Sequence, residues 1–174
     1  MSSMAMLIMG SESDLEEAFR IEERLVGFHV DVKRHILSAH RNTIEVLDTV
    51  FAADKEHSPL VYVACAGKKP DLGPVIAGNT DNPVVAYVKK TDPDAFYTHH
   101  LLSSLDTPPG ISLAVFTDPA NTALYVAKII GTWDAGVREA SQAYRISRAM
   151  SNIISNTTYG RMTTGELGGQ LGKR

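Results

Sequence analysis

Ala5-Met6-Leu7-Ile8-Met9-Gly10-Ser11-Glu12-Ser13-Asp14-Leu15 is the stretch on which the fold class turns. Five consecutive apolar residues suit a strand covered on both faces. Gly10 ends the run and permits a tight exit from it. Beyond Gly10 the period changes: Leu15, Ala18, Phe19, Ile21, Leu25 and Phe28 recur at helical spacing. Ser13 followed by Glu16 reads as a capping box for that helix. A buried strand feeding an amphipathic helix opens a βαβ unit, and the rest of the chain repeats the alternation.

Working outward, His29 to Leu37 reads as a second strand. Asn42 and Glu45 mark the start of a helix through Ile44, Val46, Leu47, Val50 and Phe51. Leu60 to Ala64 is a third buried strand, Leu72 to Ala77 a short helix, and Pro83 to Val88 a fourth strand with proline at its tolerated first position. A short helix around Thr98 to Leu105 and a fifth strand from Ile111 to Phe116 follow. Asp118-Pro119 starts a helix, aspartate as cap and proline in the first turn. Its spacing continues through Leu124, Ala127, Ile130, Trp133 and Val137 toward Ile154 as one long helix. Such alternation predicts an α/β fold, a three-layer α/β/α sandwich on a central parallel sheet. Residues 1–156 are expected to form a single domain ending in the long helix. Residues 157–174, with five glycines, are expected to be a flexible tail. A helix that outruns its domain suggests packing on another subunit, so the chain is expected to form a homo-oligomer.

Composition narrows the function classes. At 44% hydrophobic and 21% charged, the 174-residue chain is an ordinary globular protein rather than a disordered one. No apolar run approaches the ~20 residues that span a bilayer, and no basic segment precedes the first apolar run, so neither a membrane partner nor a secretory signal is expected. A net charge of −3 gives no general attraction to nucleic acid. Cys65 is the sole cysteine, which excludes an intrachain disulfide and a cysteine metal cluster. His99-His100 has no further ligand at metal spacing, and no metal site is expected. A reducing, cytoplasmic setting is the simplest expectation.

In sheets of this kind the site lies beyond the carboxyl ends of the strands. Three loops there carry chemistry. Gly10, Ser11, Ser13 and Asp14 combine hydroxyls, free N–H groups at a helix start and a carboxylate, able to hold a phosphate and a ribose diol. Ser38-Ala39-His40-Arg41 supplies an imidazole for proton transfer and a guanidinium for a phosphate. Ala66-Gly67-Lys68-Lys69-Pro70-Asp71-Leu72 offers close backbone approach at Gly67 and positive charge, with Asp71 available to cap the next helix. Each loop taken singly also has a purely structural explanation; their convergence at one sheet edge favours function. The first loop lacks the Gly-Lys-Ser/Thr end of a P-loop and the glycines of a dinucleotide fingerprint.

Taken together, the Gly10–Asp14 and Ser38–Arg41 motifs, Ala64-Cys65-Ala66-Gly67 and Leu72-Gly73-Pro74-Val75-Ile76-Ala77-Gly78-Asn79-Thr80 resemble the PurE family. These are aminoimidazole ribonucleotide carboxylases and N5-carboxyaminoimidazole ribonucleotide mutases of purine biosynthesis. The likeness continues through Ser103-Ser104-Leu105, Pro109-Gly110-Ile111-Ser112 and Asn121-Thr122-Ala123-Leu124, covering about residues 6 to 137. The Leu72–Thr80 stretch is similar to the class II branch, which uses CO2 directly, whereas Arg41 matches class I. Lys68-Lys69-Pro70-Asp71 departs from both branches.

The resemblance implies a flavodoxin-like fold, octameric assembly and carboxylation of 5-aminoimidazole ribonucleotide by CO2, without metal, ATP or biotin. It implies His40 as the catalytic proton carrier. Ser11, Ser13 and Arg41 would hold the phosphate and Asp14 the ribose. Gly67 and Lys68 would border the carboxyl pocket, with Gly10, Ser38, Ala39, Ala66 and Leu72 completing the substrate site. The alternatives are the mutase reaction, a repurposed nucleotide-binding protein without turnover, and a flavin-carrying electron carrier.

Overall fold

A computed structural model describes residues 3–57, 59–67, 70–90, 94–160 and 162, with the backbone alone at 94–97 and 159. It contains β1 (Met4–Met9), α1 (Leu15–Gly27), β2 (Asp31–Ile36), α2 (Thr43–Glu56), β3 (Leu60–Ala66), α3 (Leu72–Ala77), β4 (Val84–Val88), α4 (Asp94–Leu105), β5 (Ala114–Phe116), α5 (Pro119–Ile130) and α6 (Ala135–Tyr159). The five strands pair in parallel in the order β2-β1-β3-β4-β5. This is the doubly wound, flavodoxin-like arrangement. The chain runs outward from β1 to β2, then returns past β1 to lay down β3, β4 and β5. The order therefore reverses between β1 and β3, and loops leaving those strands part to open a crevice.

Alternation along the strands builds two cores. On one face Met6, Ile8, Leu60, Tyr62, Ala64 and Val84 meet Val46, Val50 and Ala53 of α2 and Leu72 and Ile76 of α3. The other face is covered by α1 and α5, which pack together and bury Ala18, Ile21 and Leu25 with Ala123, Val126, Ala127 and Ile130. Tyr62 is the largest fully buried side chain among the described residues, and its polar end is satisfied. Its hydroxyl lies 2.7 Å from Asp54 Oδ1 and 3.0 Å from the Val50 carbonyl. Asp54 also accepts hydrogen bonds from Thr80 and Asn82, tying α2 to the entrance of β4.

Local sequence explains the turns. α1 closes in a Schellman motif: Val30 N–H donates to the Leu25 carbonyl and His29 N–H to that of Val26. The left-handed position usually taken by glycine is filled by His29, at φ 65°. Asp118 caps α5 through a 2.8 Å bond from Asn121 N–H, with Pro119 in the first turn as expected.

Several expectations need correction, among them the second strand, which starts at Asp31 because His29 lies in the turn that closes α1. The long final helix is two helices. The apolar phase survives from Ile130 to Val137, but Gly131 caps α5, and Asp134 accepts from Val137 N–H to start α6. β5 is shorter than Ile111–Phe116 because Ile111 turns back instead of pairing: its N–H donates to Pro108 and its carbonyl accepts from Thr107. α4 begins at Asp94 rather than near Thr98. Ser13 does not cap α1. A single 3-10 turn at Glu12–Asp14 intervenes, and the reciprocal pair is Ser11 with Asp14.

The chain divides into two compact units, Met1–Ala140 and Ser141–Arg174, with α6 passing through the boundary. Residues 157–159 of the expected tail belong to α6, while 161 and 163–174 lie outside the described residues. No helix among the described residues is long and apolar enough to cross a membrane.

Candidate functional site

The carboxyl ends of β2, β1, β3 and β4 stand side by side. Backbone bonds carry the ladder one residue further, from Leu37 N to Met9 O, Gly10 N to Cys65 O and Lys89 N to Ala66 O. Chain leaving these strands encloses a cleft of about 550 Å3. Its walls include Gly10, Ser11, Ser13 and Asp14 from the first loop, Ser38, Ala39, His40 and Arg41 from the second, and Ala66, Gly67 and Leu72 from the third. Every site residue expected from sequence is on this wall except Lys68, which lies outside the described residues. A shallower groove continues past Glu12, Ile36 and Asn42.

The second loop is a tight corner. Arg41 and Asn42 N–H groups donate to the Ser38 carbonyl, and Asn42 Oδ1 accepts from Ser38 N–H at 2.7 Å. Asn42 therefore pins the loop with its side chain instead of capping α2, which has no side-chain cap. His40 and Arg41 are carried on this corner. Arg41 reaches across to the first loop, Nη2 donating to the Gly10 carbonyl at 3.0 Å.

Ser11 and Ser13 place their hydroxyls 2.7 Å apart. Asp14 is only 4% exposed, its Oδ2 accepting from the Ser11 N–H and hydroxyl at 3.1 Å each. Its other oxygen explains Gly67: a Cβ there would lie 3.3 Å from Asp14 Oδ1. Gly73 plays a related part in α3. A Cβ at that position would come within 3.0 Å of Ala86 Cβ and Leu113 Cδ1, so glycine lets the helix lie close on the sheet and fixes where the third loop ends.

Burial pushes the Asp14 carboxyl above the usual carboxylate range, against the opposing pull of the Ser11 hydroxyl, the Lys89 charge and the Ser11 N–H. The native carboxyl thus holds its proton more tightly than the unfolded chain does. Stability contributed at this position is greatest below the ordinary carboxylate pKa and is lost as pH rises through the raised one. Asp14→Asn removes that slope. Urea midpoints measured from pH 3 to 7 should show the variant gaining on the wild type as pH rises; parallel curves would refute the assignment.

Lys89 was not expected from the sequence. It lines the cleft, its Nζ donates to the Ser13 carbonyl at 2.9 Å, and its side chain lies 3.7 Å from where a Gly67 Cβ would be. The available signal was its place directly after the fourth apolar run, at the same sheet edge as Gly10 and Gly67. Cys65 adjoins the cleft but is fully buried. Burial, then Asp14 and Glu17, push its thiol up, so it packs as a small apolar residue.

A family model described as AIR carboxylase matches residues 4–151. The chain belongs to the AIR carboxylase family. It is 36% identical over 135 residues to a phosphoribosylaminoimidazole carboxylase of Archaeoglobus fulgidus, covering 78% of this chain and 73% of that protein. A protein of the same name from Treponema denticola is 28% identical over 153 residues, 88% and 95% of the two chains. The human bifunctional phosphoribosylaminoimidazole carboxylase/phosphoribosylaminoimidazole succinocarboxamide synthetase is 33% identical over 125 residues, 72% of this chain, which spans only 29% of its length. The crystal structure of Treponema denticola PurE superposes with a TM-score of 0.84 at 27% identity, over 91% of this chain and 99% of that one. The AIR carboxylase family and the PurE resemblance read from the three loops are thus one assignment.

Proposed function

We propose that this chain carboxylates 5-aminoimidazole ribonucleotide at its ring carbon with CO2, giving the 4-carboxy nucleotide used in purine synthesis. The observation that carries the reading is the meeting of His40 with the Ser11–Ser13 loop, Arg41 and Gly67 around one cleft. In this reading the paired hydroxyls and the guanidinium hold the phosphate, and Asp14 holds the ribose. Gly10, Ser38, Ala39, Ala66 and Leu72 shape the walls, and Gly67 borders the incoming carboxyl carbon; the same role for Lys68 rests on the family resemblance alone.

The reaction needs little more than placement and one proton carrier. The electron-rich ring carbon attacks the carbon of CO2, forming a C–C bond and leaving a tetrahedral carbon that still bears hydrogen. His40 takes that proton, the C–H electron pair returns to the ring, and aromaticity is restored. Holding nucleotide and CO2 together in a walled cleft supplies much of the rate through proximity.

The mutase reading, transfer of a carboxyl group from the 5-amino nitrogen to the same carbon, draws on one observation. Arg41 and Lys89 bring two cations to the cleft, which suits a substrate already carrying a carboxylate. Assays with the aminoimidazole nucleotide plus bicarbonate, and separately with the N5-carboxylated nucleotide, separate the two. Turnover with bicarbonate is expected. Turnover of the N5-carboxylated nucleotide alone would establish the mutase, and binding without either turnover would establish a repurposed nucleotide-binding protein.

We also propose a homo-oligomer, octameric as the resemblance implies. Ile146, Met150, Ile153 and Ile154 recur at helical spacing along α6 and are all exposed, a stripe that suits burial against another copy.

A further inference from the structure

Asp71 stands where the chain enters α3, the position from which an aspartate ordinarily caps a helix. It makes no side-chain cap there. The helix starts without it, Val75 N–H donating to the Asp71 carbonyl at 2.9 Å. The carboxylate turns instead to the second loop, with Oδ2 2.7 Å from His40 Nε2. The two side chains are 54% and 50% exposed, and a contact so open to water adds little to stability. Neither the helix nor the fold requires the contact. Asp71 is also absent from the described residues lining the cleft, although His40 and Leu72 both line it.

A carboxylate only accepts hydrogen bonds, so the ring nitrogen facing it carries hydrogen. Neutral His40 is thereby fixed as the Nε2–H tautomer, and the lone pair resides on Nδ1. We propose that Asp71 is a positioning residue that holds the His40 imidazole in one tautomer and one orientation, making Nδ1 the atom that exchanges the substrate proton. The proposal rests on the functional reading above, in which His40 moves that proton. The Nδ1 lone pair takes the proton from the ring carbon, the C–H pair returns to the ring, and the imidazolium keeps its second N–H against Asp71. Nδ1 then releases the proton to solvent. Asp71 touches no reacting atom.

The test combines ring 15N spectra of His40 with steady-state kinetics in the wild type, Asp71→Asn and Asp71→Glu. The wild type should show the Nε2–H tautomer. Asp71→Asn should shift the population toward Nδ1–H, lower kcat about 10- to 100-fold and leave nucleotide KM within about twofold. Asp71→Glu should restore part of both. A merely structural role would lower thermal stability and leave the tautomer in place. Unchanged ring spectra in Asp71→Asn overturn the proposal, as does a changed spectrum with unaltered kcat. A wild-type protein that turns over neither nucleotide sinks the functional reading alone, and the ring spectra then decide on Asp71.

Discussion

Replacing His40 by asparagine should lower kcat by about 1000-fold, within the range that a positioned acid–base group contributes. Nucleotide affinity should stay within about threefold. The two expectations separate because the proposed phosphate and ribose contacts come from other residues: Ser11, Ser13 and Asp14 on the first loop, and Arg41 beside His40. The second loop should keep its shape, since its corner is made by backbone bonds to Ser38 and by the Asn42 side chain, not by the imidazole. An asparagine amide can still donate to Asp71. What it cannot do is accept a proton near neutral pH. Single-turnover rates and calorimetric affinities check both halves. Wild-type kcat in His40→Asn would remove the histidine from the mechanism. Equal losses of affinity and turnover would recast it as a binding residue.

Elements with a local cause were legible in the sequence. The helix expected over Leu72–Ala77 matches α3 to the residue, and β1 and β3 are marked by unbroken apolar runs. The α5 start needed only Asp118 and Pro119. Two of the misread boundaries are places where two local signals compete. Helical phase runs unbroken across Gly131 to Asp134, so periodicity masked a break that the glycine and aspartate already encoded. Ser11 and Ser13 are both plausible caps, and the intervening 3-10 turn, invisible to an α-helical template, selected Ser11.

The site divides along the same line. Residues directly following the first three strands could be placed because a parallel sheet brings strand ends together. Lys89 follows the same rule on β4, yet no motif in the sequence marks it. The His40–Asp71 contact joins residues 31 apart on two loops, with no periodicity to reveal it. Asp71 carries a strong local signal, but for the capping role it does not perform.

Arg41→Met should weaken binding of the aminoimidazole ribonucleotide by about 10- to 150-fold, equivalent to roughly 1.5–3 kcal/mol for hydrogen bonds to a charged group. One guanidinium nitrogen is committed to the Gly10 carbonyl. A guanidinium has five donors in a rigid fork, so the rest are available to a phosphate beside the Ser11–Ser13 hydroxyls. Two roles are therefore possible, gripping the phosphate or holding the first loop in place, and a ligand without phosphate tells them apart. If Arg41 binds the phosphate, the corresponding nucleoside should bind wild type and Arg41→Met equally weakly, and only the nucleotide should lose affinity. If Arg41 serves to anchor Gly10, both ligands should lose affinity by the same factor and the phosphate assignment falls. Arg41→Lys sharpens the contrast: a point charge without the fork should recover part of the nucleotide affinity through Coulomb attraction but not the paired geometry. Because a phosphate dianion is screened by salt whereas the Gly10 carbonyl contact is only weakly so, the gap between wild type and Arg41→Met should narrow as ionic strength rises from about 0.01 to 0.15 M, where the Debye length falls from about 30 to 8 Å.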